Sequence, residues 1–505
     1  MEVAMRKSGI ITIFLALFLT QYAIRTTQYA CANNVSVTNG SPGAQSEIND
    51  TIEIQFDLSW DNSWRKIAGD EPYNYDAAWV FVKYSTDSGA TWNHAYLSTT
   101  VGDHAIPLNY ECKVGITNIS SNDRGMGVFI QRGDPVSASW SGTASLSGVK
   151  LMWGYGQNGV TDAQERDPIA TLIRVMAVEM VYIPLGAFSA GSGGAEASCF
   201  TKTMINTANA TTAPSGSPLS GGYPSGQTAP ANASWPNGYS AFYAMKYELS
   251  QEQYVDFFNT LTSAQKTTRD ITSVGKGSDL EVSRNTVSWT SGDATAGANA
   301  NVACNFINWA DISAYADWAG LRPFTELEFE KACRGIATAV ANEYAWGTAT
   351  IAASVYTLSN EGTAAEGIDT NYQTTLGNCI YNAAYPNPVR CGIFAAHANN
   401  SGRITAGASY YGVMELSGNL WERSVTIGHA VGRSFTGLHG DGSLNASGDA
   451  NVTNWPAGTD YGTGFRGGSW LRDYSNAYVS DRTFADWLDP NRSNEAGGRL
   501  ARTSP

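Results

Sequence analysis

The stretch that most constrains this chain is residues 412–423, GVMELSGNLWER. Ser417, Gly418 and Asn419 are a turn signal that asks for a backbone position at φ > 0. Val413, Met414, Leu416, Leu420 and Trp421 are too apolar for a solvent loop, so the turn belongs inside. Glu415 and Glu422 flank it. The residues alone leave two readings open. One is a buried turn whose glutamates hydrogen-bond or reach solvent. The other is a cation site, because carboxylates beside turn carbonyls are what a hard ion such as Ca²⁺ requires, although two are fewer than most all-protein calcium sites use.

The stretch resembles the "G-L-x-D-M-S-G-N-V-W-E-W" segment of the formylglycine-generating enzyme (sulfatase-modifying factor) family. Three further segments are similar to that family in the same order. They are MVYIPLGAF (180–188), LRPFTELEFEKACRG (321–335), and FRGGSW (465–470) with GGRLAR (497–502). The resemblance covers about residues 177–505 and implies a C-type-lectin-like α+β scaffold, irregular and loop-rich; a fold does not settle activity. It also implies a structural Ca²⁺ held by the side chains of Glu415 and Glu422 and the carbonyls of Gly418 and Leu420, with Glu415 standing where Asn or Asp is usual. Residues 360–369 (NEGTAAEGID) match the family's other calcium loop poorly.

The family's oxidase chemistry uses two cysteines just after the R-G-G-S-[WY] motif, since Cu(I) is a soft ion that prefers sulfur. Here Arg472 and Ala477 stand at or near those positions, and no Cys follows Cys391. Neither copper nor a catalytic residue is therefore expected. An iron-dependent branch of the same fold needs a histidine cluster, whereas His397, His429 and His439 are scattered.

Length and composition bound the rest. At 505 residues the chain can hold two or three domains. Its net charge of −14 argues against nucleic acid and anionic membranes as partners. Arg6 and Lys7 precede an apolar run over 10–19, and Ala30-Cys31-Ala32 offers a small-residue cleavage site, so 1–32 reads as a secretory signal peptide. A lipoprotein reading would acylate Cys31, but its lead-in residues are poor. The expectation is a secreted or cell-surface protein with no transmembrane anchor. Export permits disulfides among Cys112, Cys199, Cys304, Cys333, Cys379 and Cys391, with Cys379–Cys391 the first choice because it closes a short loop.

Residues 33–176 alternate apolar and polar positions over 52–60, 77–86, 125–133 and 147–155, with a hairpin tip at 85–92. That pattern predicts an immunoglobulin-like β-sandwich, followed by a second domain over 177–505. His94 and His104 read as core or solvent histidines. A low-complexity insertion over about 191–239 reads as a surface loop. Helices are expected after Ser250 (capping box with Gln253), over 309–318 (stopped by Gly320) and over 326–334 (Thr325 boxed with Glu328, stopped by Gly335). Glu326, Glu328 and Glu330 are assigned to caps and salt bridges, not to catalysis.

The segment after Trp470 mixes Arg472, Tyr474, Tyr478, Phe484 and Trp487 with short polar residues, the composition of adaptable binding surfaces. The alternative is an ordinary closing segment with Phe484 and Trp487 in the core. The sequence thus reads as an exported, non-catalytic binding or extracellular assembly protein, with a glycan or surface protein as ligand. A formylglycine-generating oxidase, and a self-associating subunit of a surface filament or matrix, are the alternatives.

Overall fold

The computed structural model describes residues 35–134, 137–211, 229–230, 232–458 and 462–505. The expected signal peptide, its cleavage site and the centre of the 191–239 insertion lie outside these residues. The first eight strands are β1 (Ser36–Ser46), β2 (Thr51–Arg65), β3 (Asp76–Ser85), β4 (Asn93–His94), β5 (Tyr110–Ile119), β6 (Asn122–Arg132), β7 (Trp140–Trp153) and β8 (Leu172–Ile183). All four alternating segments fall on strands. β2 shows the cause plainly: Ile52, Ile54, Phe56, Leu58 and Trp60 are buried at every second position, while the residues between them keep partial access to solvent. The predicted tip joins β3 to β4, which pair through Lys83–His94 and Tyr84–Asn93.

The strands sort into two sheets. β1, β2 and β7 form a three-stranded antiparallel sheet. The other sheet has eight strands. It runs β5, β6, β3, β8 and continues through Phe242–Met245, Leu500–Thr503 and Arg322–Pro323, with β4 beside β3. β3 is buried along its whole length because both its faces are covered. On one side Tyr84 meets Trp153 of β7 at 4.8 Å. On the other, Trp79 donates to the Ala319 carbonyl at 2.9 Å, and Phe81 meets Trp318 edge-on at 5.1 Å. The architecture is therefore a small sheet, a large sheet and a layer of helices.

This arrangement corrects the expectation of a self-contained immunoglobulin-like sandwich over 33–176. β3 pairs β8 through ten consecutive positions, Asp76–Val181 to Ser85–Leu172, and β8 pairs Phe242–Met245 on its other edge. The boundary drawn at 176/177 falls inside β8. Alternation reports which face of a strand is buried; it carries no information on which strand lies beside it.

The three helices form where their caps predict, at Gln251–Phe258, Trp309–Trp318 and Glu326–Arg334, and each begins with a complete capping box. Gly320 ends the second at φ +66° and Gly335 the third at φ +61°. A further boxed helix, Ser263–Arg269, was not predicted. The described flanks of the insertion are tied down. Thr203–Ile205 pairs Phe188–Ala190, and buried Trp235 donates to the Gly432 carbonyl at 2.9 Å. All six described cysteines are free. The expected Cys379–Cys391 bridge is absent: Cys379 donates to the Ser417 carbonyl at 2.9 Å and Cys391 to that of Glu248 at 3.5 Å. His94 and His104 are core residues, bonded to the carbonyls of Met126 and Ser98.

A buried charge cluster fastens the N-terminal strands to the rest. Lys246 Nζ lies 3.1 Å from Asp76 and 3.0 Å from Glu179, all three side chains being inaccessible. One cation faces two carboxylates, so the cluster favours holding a proton. Burial pushes Glu179 up to about 8, against the pull of Lys246. The folded chain therefore binds more protons than the unfolded one between the ordinary glutamate range and about pH 8, and stability falls as pH rises through that window. Urea midpoints of the wild type and Glu179→Gln across this range should show the decline in the first and a flatter profile in the second. Parallel profiles would remove Glu179 as the source.

Candidate functional site

The 412–423 turn is held from every side. Gly412 sits at φ +89°, and a Cβ there would lie 2.9 Å from the ring of Trp64 in β2. Gly418 sits at φ +84°, where a Cβ would stand 2.3 Å from Cys379 Sγ, so only glycine fits. Glu415 (φ +51°) and Asn419 (φ +64°) share the left-handed region. Asn or Asp enters it far more readily than Glu, so Glu415 is a strained choice.

The turn's polar groups converge on three buried carboxylates. Glu415 Oε1 accepts from the Gly392 N–H at 2.9 Å. Glu422 Oε1 accepts from Arg499 Nε at 2.9 Å and Nη2 at 2.7 Å. Glu248 accepts from the Leu420 N–H at 2.9 Å and from the Asn419 side chain. Burial pushes Glu415 up to about 7 and raises Glu248 and Glu422, and the neighbouring Glu422 adds to the effect on Glu415 and Glu248. Glu415 Oε2 and Glu422 Oε2 are both buried without a hydrogen-bond partner. A hard cation coordinated by carboxylate and carbonyl oxygens suits those two orphaned atoms. Against this, Arg499 already balances Glu422, and the described residues contain no cluster of three His, Cys, Asp or Glu arranged to hold a metal. What would suit an ion here is the pair of unpartnered oxygens, Glu415 Oε2 and Glu422 Oε2.

Sequence reasoning missed Glu248 and Arg499. Glu248 lies between Tyr247 and Leu249, just ahead of the Ser250 cap, an acid among apolar neighbours. That was the signal for Glu248; Arg499 lies in the 497–502 segment that resembles the family motif. The other candidate calcium loop is closed by an ion pair: Glu366 is buried against Arg284 and also accepts from the Arg390 N–H at 3.0 Å.

The turn is coupled to the closing segment. Gly418 N–H donates to the Gly467 carbonyl at 2.7 Å, and Ser417 Oγ donates to the Ala477 carbonyl at 2.7 Å. Arg472 grips Glu495 with Nε at 2.8 Å and Nη2 at 2.5 Å, while Ser469 Oγ donates to the same carboxylate at 2.7 Å. Ala477 is buried. The five candidate binding residues form two neighbouring groups. Tyr474 meets Tyr478 at 6.1 Å, and Tyr478 leans on Tyr344 at 4.9 Å. Phe484 lies between Trp421 at 5.5 Å and Trp487 at 5.6 Å, with Arg472 over its ring at 5.7 Å. Tyr474 and Trp487 are 47% and 56% exposed, so Trp487 is not a core residue, while Phe484 is half-buried.

Glu326, Glu328 and Glu330 do what their positions predicted. Arg482 and Arg466 converge on Glu326, at 2.7 and 3.1 Å. Arg466 and Arg334 meet Glu330, at 3.1 and 2.9 Å. Arg322 pairs with Glu328 at 2.6 Å. Although burial pushes Glu326 up, its two arginines hold it below the usual glutamate value.

Fold and site define a mixed α/β protein, mostly strands with few helices, whose irregular loop body is fixed by buried carboxylate–guanidinium pairs. Residues 169–504 match the Sulfatase-modifying factor enzyme 1-like domain, and the chain belongs to that family. The match begins three residues before β8, which starts at Leu172. Comparison with curated proteins finds no match. No helix among the described residues is long and apolar enough to cross a membrane.

Proposed function

We propose that this chain is an exported, non-catalytic member of its family, built on a C-type-lectin-like scaffold and acting as a ligand-binding or extracellular assembly protein. The observation that carries the reading is the Arg472–Glu495 pair. The resemblance places oxidase thiols at or near 472 and 477, and here the first position carries a guanidinium locked on a buried carboxylate. The second is a buried Ala. Neither side chain can ligate Cu(I) or engage a substrate thiol. Anaerobic titration with Cu(I), followed by a C-x-P-x-R peptide and O₂, is expected to give no tight binding and no aldehyde. Tight copper binding with conversion of the peptide cysteine would establish the oxidase alternative instead.

The exposed Tyr474 and Trp487, with Tyr478, Phe484 and Arg472 behind them, form the surface on which a glycan or surface protein would dock. Leu471 and Leu488 are also exposed, at 46% and 43%, which favours self-association as a second reading. Light scattering of the purified protein across a concentration series separates the two.

Ca²⁺ would sit at the 412–423 turn, held by Glu415, Gly418, Leu420 and Glu422. Bound there it would add positive charge beside the unpartnered oxygens of Glu415 and Glu422 and tie down loops that lack regular hydrogen bonding. Chelation is expected to lower the thermal midpoint by several degrees, and Glu415→Gln to abolish that response. A midpoint insensitive to both chelator and added Ca²⁺ would remove the ion from this site.

A further inference from the structure

The N-terminal strands and the family-matched residues together enclose a space that neither builds alone. A cavity of about 470 Å³ opens where the end of β2 and the following turn meet the loop over 395–414. That size lies within the range of about 300–1,000 Å³ usual for small-molecule sites. Trp64 and Lys66 line it from the N-terminal side; Arg403, Tyr410 and Met414 line it from the other. Trp64 and Lys66 lie outside the 169–504 match, so the site is not a property of the family domain by itself.

Its aromatic wall is rigid. Trp64 Nε1 donates to Asn74 Oδ1 at 3.2 Å, and its ring edge rests against Gly412, which has no Cβ to displace it. Asn74 in turn donates to the Tyr411 carbonyl at 2.7 Å, fixing the two sides of the cavity to each other. Tyr410 lies under the guanidinium of Arg403 at 5.3 Å.

The charge on the wall is uncompensated. Arg403 Nη2 donates to the carbonyls of Cys333 at 3.2 Å and Ala345 at 2.8 Å, which carry no net charge. Its Nε is buried without a partner, and Arg403 makes no ion pair among the described residues. Lys66 has no side-chain partner among them either. No Asp or Glu lines the cavity. Glu71 stands exposed beside Tyr410, and Glu343, the acid that acts on Arg403, is committed to Arg334. Lys246 also lines the cavity, but Asp76 and Glu179 already balance it. In a chain of net charge −14, two free cations facing an aromatic cavity are a local reversal of sign.

The geometry points to a binding site for a small carboxylate carried on a ring, the ring lying against Trp64 and Tyr410 and the carboxylate meeting Arg403 and Lys66. Such a ring has two sources, an aromatic acid or an acidic sugar. The inference is independent of the reading of the 470–495 segment, since the two sites share no residue.

Isothermal titration of the full chain with 4-hydroxybenzoate and with glucuronate, each beside its neutral analogue (4-hydroxybenzyl alcohol, glucose), tests it. One acid is expected to bind, and to lose about tenfold or more in affinity when its charge is removed, the loss of one charge-assisted contact. Which acid binds names the source. Lys66→Gln, at a partly exposed position, should weaken that acid by about tenfold. Arg403→Lys should weaken it less than Arg403→Gln, because it keeps the charge while giving up the fork. Failure of both acids to bind at millimolar concentration, equal affinity for the neutral analogues, or unchanged affinity in Lys66→Gln would each overturn the assignment.

Discussion

A chain shortened to residues 169–505, which keeps the whole 169–504 family match, is expected not to fold to a monomer. Removing the N-terminal strands strips β8 of its ten-residue partner β3 and leaves a long apolar edge in mid-sheet. It also removes Trp79 and Phe81 from the helix layer, and Asp76 from Lys246. An open edge of that length is a template for pairing with other chains. Circular dichroism and size-exclusion chromatography should show an aggregated or partly unfolded species. A monomeric fragment with a cooperative transition would mean that the N-terminal strands are an appendage after all.

The second large effect is expected at Arg466. Its guanidinium reaches Glu326 and Glu330, both fully buried on the Glu326–Arg334 helix, and also donates to the Val479 carbonyl at 2.6 Å. Arg466→Met leaves Glu326 to Arg482 and Glu330 to Arg334, with one cation fewer for the same buried anions. Removing one member of such a network costs about 3–5 kcal/mol, a large share of the roughly 5–15 kcal/mol that separates folded from unfolded states. Urea unfolding should register the loss. A change below about 1 kcal/mol would show that the remaining arginines suffice. Acid should act in the same direction. Glu326 is held below its ordinary pKa, so its contribution is present above the usual glutamate range and fades as pH falls through its folded value.

Much of the scaffold was legible in the chain. The capping boxes at Ser250 and Thr325 and the stop at Gly320 are read within a few residues of one another, and each forms as written. The alternation in β2 and the turn at Gly418 are equally local. The segments resembling one family all lie within the residues that the family match covers. At the candidate site, however, sequence showed only half the charges. Glu415 and Glu422 stand in the signature stretch. Arg499, which holds Glu422, lies in the 497–502 segment but nothing in the sequence joins it to that glutamate, and Glu248, which the turn also holds, lies far away in the chain with no motif signal of its own.

Sequence by itself determined where four of the strands and three of the helices lie and which turn demands glycine, because steric limits on φ and hydrogen bonds to chain ends act over a handful of residues. It also determined that no thiol stands where the family's oxidase pair would be. Only the tertiary structure decided that β3 completes the sheet of the family domain, that Arg472 closes on Glu495, and that Trp64 and Arg403 face one cavity. Those pairings join positions far apart in the chain, and a strand's alternation is satisfied by any neighbour that covers the right face. The partner is selected only when the whole core packs, and the chemistry of the surfaces that result is set at the same step.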